Sequence, residues 1–135
     1  MKKIVITGGI GYIGTELCRI YSGESWNNQV TVIDNRFISE RVNQLRNWNM
    51  NFVHADIRNL DIVKKYLNEA DVVHHLAGIT DVARTEEEKN SNKDKEMNDV
   101  AEKGTSIVLS QTPEKCKIIF PSTHVVFEGK DILTE

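Results

Sequence analysis

Three glycines spaced three apart, Gly8, Gly11 and Gly14, stand between a β-branched run (Ile4, Val5, Ile6, Thr7) and the start of a helical pattern (Ile13, Leu17, Ile20, Tyr21). Each has its own physical reason to lack a side chain. Gly8 permits the tight turn out of the strand, Gly11 lets the backbone approach a diphosphate with no Cβ in the way, and Gly14 lets the helix pack close to the strand. A helix that opens directly after such a turn points its unpaired N–H groups and the positive end of its dipole at an anion. Asp34 follows twenty residues after Gly14, at the end of the second β-branched run. There a carboxylate can accept hydrogen bonds from both hydroxyls of an adenosine ribose, so a dinucleotide is the expected ligand. Thr15 and Glu16, not Lys, come after the last glycine, which excludes the phosphate loop of nucleoside triphosphatases. The carboxylate of Asp34 repels a 2′-phosphate and favours NAD over NADP, although Arg36 is near enough to accommodate one.

The rest of the chain repeats the alternation of strand and helix. Apolar or β-branched runs at residues 3–7, 29–34, 51–54, 71–75 and 117–121 are nearly continuous rather than alternating, as in strands covered by helices on both faces of a parallel sheet. Between them, Val42 and Leu45 begin a second helix, and Ile62, Val63, Tyr66 and Leu67 form a third, with Asn59 as N-cap and Asp61 in its first turn. Met97, Val100, Ala101, Gly104, Ile107, Val108 and Gln111 keep a spacing of three and four over about four turns. The pattern predicts an α/β fold, a Rossmann-type doubly wound parallel sheet of five strands, with residues 1–135 forming one dinucleotide-binding domain. Residues 84–96 are almost wholly polar and read as a solvated loop or frayed helix ends.

Composition narrows the function classes. With 135 residues, 39% of them hydrophobic, and a net charge of −3, the chain has the make-up of a soluble domain able to form a core. The acidic balance and the lack of a basic stripe argue against nucleic acid as a partner. No apolar run approaches the roughly 20 residues of a membrane span, and Lys2 and Lys3 lead straight into a strand with no secretory apolar region, so the cytoplasm is the expected compartment. Cys18 and Cys116 sit in apolar contexts and are expected to be buried free thiols. His54, His75 and His124 show no paired ligand spacing, no metal is expected, and no G-x-S-x-G elbow is present.

Five motifs then occur in order: TGGIGYIG at residues 7–14, VIDN at 32–35, ADIRN at 55–59, HLAG at 75–78 and STHVVFEG at 122–129. Together they resemble the extended short-chain dehydrogenases/reductases, the NAD-dependent epimerases and dehydratases of nucleotide sugars. The resemblance implies that Tyr12 and Ile13 present backbone N–H groups to the pyrophosphate and that Asp34 with Asn35 holds the ribose. It implies that Asp56 accepts from the adenine amine, that Ile57 packs beside the ring, and that Leu76, Ala77 and Gly78 line the channel to the nicotinamide ribose. Thr123, four residues before Phe127, takes the place of the Ser or Thr that hydrogen-bonds the sugar during hydride transfer. Two departures stand beside it: Phe127 replaces the usual Tyr, and Glu128 precedes Gly129.

The family's general base is a Tyr whose phenol is acidified by a Lys in a Y-x-x-x-K motif. None of Tyr12, Tyr21 and Tyr66 has Lys four residues on. The resemblance therefore implies the N-terminal, cofactor-binding portion of a larger enzyme, with the substrate lobe and the C-terminal part of the family fold absent from these 135 residues. The parent enzyme is expected to act on a nucleotide sugar and to pair as a homodimer through long helices, one of them at residues 93–111. The alternative reading is a noncatalytic NAD(P)-binding sensor or regulatory module.

Overall fold

Five parallel strands are hydrogen-bonded in the order β3-β2-β1-β4-β5 in the computed structural model, which describes residues 1–23, 27–79 and 92–122. The elements are β1 (Lys2–Thr7), α1 (Tyr12–Gly23), β2 (Asn28–Asp34), α2 (Ser39–Asn47), β3 (Asn51–His54), α3 (Leu60–Leu67) and β4 (Val72–His75), followed by α4 (Asn92–Asp99), α5 (Thr105–Gln111) and β5 (Lys117–Ile119). A π-helical turn, Val100–Gly104, joins α4 to α5. The chain builds outward from β1 through β2 to β3, then returns to β1's other side for β4 and β5. That reversal leaves a crevice at the carboxyl ends of β1 and β4, the place where open α/β sheets take ligands.

Strand alternation sends successive side chains of β1 and β2 to opposite faces. Ile4, Ile6, Val30 and Val32 pack with Ile10, Cys18, Leu45 and Met50 on one side. Val5, Ile33 and Val73 pack with Ile57, Val63, Leu67, Val100 and Val108 on the other. Two apolar layers sandwich the sheet, so the interior strands are apolar on both faces except at Thr31 and at the carboxyl ends, where Thr7, Asp34, His74 and His75 are buried. Asn59 caps α3 as its sequence position predicts, its side-chain oxygen accepting from the Ile62 N–H at 3.2 Å.

Several expectations need correction. The buried face of α1 runs through Gly14 and Cys18, with Leu17 and Tyr21 half-buried, whereas Ile13 and Ile20 are 64% and 47% exposed. Gly14 sets this rotation, because the point of closest approach must face inward and Ile13 lies about 100° away around the helix. The long helix is not continuous α: the π turn inserts extra backbone at Val100–Gly104, keeping Val100, Gly104 and Val108 buried while Ala101 turns outward. Cys18 is buried, with its thiol pushed up to about 12 by desolvation, but Cys116 is only half-buried. Strand β5 ends at Ile119, short of the expected 117–121, and Pro121 has no N–H with which to extend the ladder. Residues 92–96 of the polar segment lie in α4, and residues 84–91 lie outside the described residues.

Gly14 tests the packing most directly, since a Cβ there would lie 2.5 Å from the Gly9 Cα and 2.6 Å from the Gly8 carbonyl oxygen. Both are backbone atoms that no side-chain rotation can move aside. Gly14→Ala is expected to destabilise the fold by about 1–3 kcal/mol, read as a lower urea midpoint at unchanged slope. An unchanged midpoint would show that α1 can retreat from the loop at no cost.

Candidate functional site

Gly8 leaves β1 with φ of 71° and donates its N–H to the Ile33 carbonyl at 2.8 Å. A Cβ on it would lie 2.7 Å from the Ala77 nitrogen, so the glycine loop presses directly on the backbone after β4. Two loops from the two sides of the sheet's reversal thus meet with no side chain between them. The neighbouring Gly9, to which the sequence reading gave no role, is equally constrained: its Cβ would fall 2.4 Å from Val32 Cγ1. The adjacent Gly-Gly pair was the signal for it. At Gly11 a Cβ would meet the Gly8 carbonyl oxygen at 3.2 Å and the Arg36 guanidinium at 3.5 Å.

Helix α1 starts at Tyr12, and the Thr15 N–H closes onto the Gly11 carbonyl at 2.9 Å. The N–H groups of Tyr12 and Ile13 lie in the first turn, where no intrahelical acceptor exists. Both residues are exposed beside the crevice. This is a donor set suited to an anion.

Asp34 sits at the carboxyl end of β2 with its side chain only 3% exposed. One carboxylate oxygen accepts from the Ile10 N–H at 3.2 Å and the other from the Arg36 N–H at 3.0 Å, with Arg36 Nε 3.4 Å away. The acid therefore orders the glycine loop and carries Arg36 across its open side. Arg41, unsuspected from sequence, reaches from α2 to donate to the Ile10 carbonyl. Asn35 is exposed, and its carbonyl accepts from His54 Nε2 at 2.9 Å, which pins the backbone next to the acid.

Asp56 and Ile57 follow β3. Arg58 grips the Asp56 carboxylate with two nitrogens at 2.7 and 3.0 Å and donates to Asp99 of α4 at 2.9 Å. Hydrogen bonding from Arg58 holds the Asp56 carboxyl below the usual carboxylate range. Ile57 is 5% exposed and packs against Gly104, leaving little of its side chain at the surface. Leu76 and Ala77 are half-buried and Gly78 is exposed, with open space around its Cβ position. Thr123 lies outside the described residues.

Two histidines sit behind the crevice. His75 Nδ1 is 2.7 Å from Thr7 Oγ1 and its Nε2 is 2.9 Å from Thr105 Oγ1, and its ring stacks on Phe120 with centroids 5.3 Å apart. His74 Nε2 meets the Tyr21 hydroxyl at 2.8 Å. Desolvation holds both imidazoles below their ordinary value, with Lys117 adding to the effect at His74. Among the described residues no cluster of three or more His, Cys, Asp or Glu could hold a metal ion, and no helix is long and apolar enough to cross a membrane.

With the loop, the acid and the switch-point crevice in place, comparison with known proteins decides the family. The sequence model of the 3-beta hydroxysteroid dehydrogenase/isomerase family matches residues 5–135. The chain belongs to this family of extended short-chain dehydrogenases/reductases. The curated proteins it resembles are named as epimerases and decarboxylases of nucleotide sugars. UDP-glucose 4-epimerase of Neisseria meningitidis serogroup C is 30% identical over the whole chain, and CDP-paratose 2-epimerase of Salmonella typhi is 31% identical over 93% of it. The chain spans 41% and 38% of the lengths of these two relatives. The UDP-glucose 4-epimerase of Bifidobacterium longum, solved with NAD+ and UDP, superposes with a TM-score of 0.74 at 24% identity, covering 98% of this chain and 40% of that one. The extended short-chain reductase fold is thus present through its five strands in the order 3-2-1-4-5.

The perturbed groups give the domain a defined acid response. A histidine whose folded-state value is lowered contributes its stability in full above the ordinary value of about 6.5 and loses it as pH falls towards the lower folded-state value. Asp56 contributes above the ordinary Asp value of about 3.9 and loses its share as pH falls through its depressed folded-state value. Stability is expected to decline first through the histidine range and again below the carboxylate range, measured as urea midpoints against pH. A flat profile between neutral and mildly acid pH would show that His74 and His75 accept protons in place.

Proposed function

We propose that the chain is the NAD-binding portion, residues 1–135, of an NAD-dependent epimerase or dehydratase that acts on a nucleotide sugar by transient hydride transfer. The observation that supports it most is the closure of the glycine loop on Ala77, which brings an anion-binding helix start and the β4 loop to one crevice. The donor set fits a dinucleotide: N–H groups at Tyr12 and Ile13 suit the pyrophosphate, bare backbone at Gly8, Gly11 and Gly14 gives it room, and Asp34 suits the ribose. Bound NAD supplies a hydride acceptor there.

The protein's own groups bind and orient. Asp34 has lone pairs to spare beyond its bonds to Ile10 and Arg36, and would accept from the ribose hydroxyls once the exposed Arg36 side chain is displaced, with Asn35 beside them. Asp56, Ile57 and Arg58 border the adenine end, while Leu76, Ala77 and Gly78 border the nicotinamide end. The family resemblance gives Thr123 the hydrogen bond to the sugar. A nucleotide sugar is chosen over a steroid because the similar curated proteins carry nucleotide-sugar names, although the family model is named for hydroxysteroids. Association as a homodimer through the long helix belongs to the same reading.

Asp34→Ala is the decisive variant. NAD affinity by calorimetric titration is expected to fall at least about tenfold, roughly 1.4 kcal/mol, while Arg36→Ala, which removes the side chain that has to leave the acid, is expected to keep or raise it. Equal affinity in wild type and Asp34→Ala would remove the carboxylate from the site. Substrate class is read by titrating UDP-, CDP- and dTDP-sugars and a 3β-hydroxysteroid into the NAD-loaded protein, and binding of the steroid alone would overturn the nucleotide-sugar assignment.

A further inference from the structure

A buried polar chain runs from the crevice into the long helix. Thr7 ends β1, His75 ends β4 directly beside it, and Thr105 opens α5 immediately after the π turn. Thr7 is 0% exposed and His75 1%, so hydrogens on these two side chains have no water to meet, while Thr105 is half-buried. Thr7 Oγ1 also receives the Ala77 N–H at 3.3 Å. One arrangement satisfies both buried side chains. The Thr7 hydroxyl donates to His75 Nδ1, leaving its oxygen free to accept from Ala77, and His75 Nε2–H donates to Thr105 Oγ1 at 2.9 Å. The opposite tautomer would make Thr7 Oγ1 accept from both His75 and Ala77 and leave its buried hydroxyl hydrogen in need of another acceptor.

The π turn is what brings Thr105 to this place. Its last residue, Gly104, lies against Ile57 so closely that a Cβ would be 2.5 Å from Ile57 Cδ1. One residue later Thr105 meets His75, and one residue before the turn Asp99 meets Arg58. The helix is therefore fixed to the loop after β3 and to the end of β4 within about two turns.

We propose that Thr105 is a positioning residue: through His75 and Thr7 it holds the Ala77 backbone against the glycine loop, so the long helix sets the nicotinamide end of the crevice. The inference rests on the NAD-binding reading for its effect on the cofactor, and on the hydrogen-bond chain alone for its effect on Ala77. Thr105→Val keeps the shape and removes the hydroxyl, Thr105→Ala removes it without adding bulk, and Thr105→Ser restores it.

Hydrogen exchange in the ligand-free protein and affinities for NAD and ADP-ribose test the proposal together. In Thr105→Val and Thr105→Ala the Ala77 amide is expected to exchange about tenfold faster while the Gly8 amide, bonded to Ile33, keeps its rate. NAD affinity falls about tenfold, ADP-ribose affinity stays within about twofold, and Thr105→Ser behaves as wild type. Unchanged exchange at Ala77, or equal acceleration at Gly8 and Ala77, overturns the proposal. So does an equal loss of NAD and ADP-ribose binding. If wild type binds neither ligand, the NAD reading fails, and the Ala77 exchange rate still decides whether Thr105 positions the loop.

Discussion

Everything at the crevice depends on one backbone contact, that of Gly8 with the chain at Ala77. The 2.7 Å left for a Cβ can be filled by hydrogen alone, and φ of 71° is a conformation that other residues adopt at a cost. From this contact the neighbouring constraints follow in sequence. Gly9 must be bare because the turn drops it onto Val32, and Gly14 must be bare because α1 then starts over the same turn. The Asp34 carboxylate closes the far side by accepting the Ile10 N–H. The loop is thus held by sterics on one side and by a buried acid on the other.

Charge and polarity are arranged around that loop so that buried groups find partners. Asp34 carries Arg36, Asp56 carries Arg58, and Arg58 extends to Asp99 and Glu96 on the long helix. These pairs are partly exposed and screened, so their contribution lies more in geometry than in stability. The histidines behave differently. His74 and His75 are buried neutral groups satisfied by hydroxyls, and their cost on protonation makes them structural members of the sheet rather than surface bases.

Much of this was legible in the chain because it depends on local rules. Strand-to-helix alternation, the capping Asn59 and the glycine spacing each follow from residues close in sequence, and the observed strands agree with the expected runs to within a residue or two. The misreadings have a common origin. Ile13 and Ile20 look like core residues on a helical wheel, but the wheel's rotation is fixed by which side Gly14 must turn inward. Ala101 fits a helical period that the π turn interrupts. Arg41 and Gly9 left little or no periodic trace, since their roles come from contacts with Ile10 and Val32.

The sequence by itself determined the order of elements, the parallel sheet and the glycine turn into the first helix, because backbone freedom at glycine and the two-faced burial of apolar strands are properties of short segments. Tertiary structure alone decided that Asp34 is turned inward to meet Ile10, that Arg58 reaches Asp99, and that Thr7, His75 and Thr105 form one chain. Those partners are separated by up to 68 residues between Thr7 and His75 and 30 between His75 and Thr105. No local pattern encodes such a meeting. It arises when the sheet reverses between β1 and β4 and the long helix packs across the junction, where every buried donor and acceptor has to be matched from whatever the neighbouring elements present.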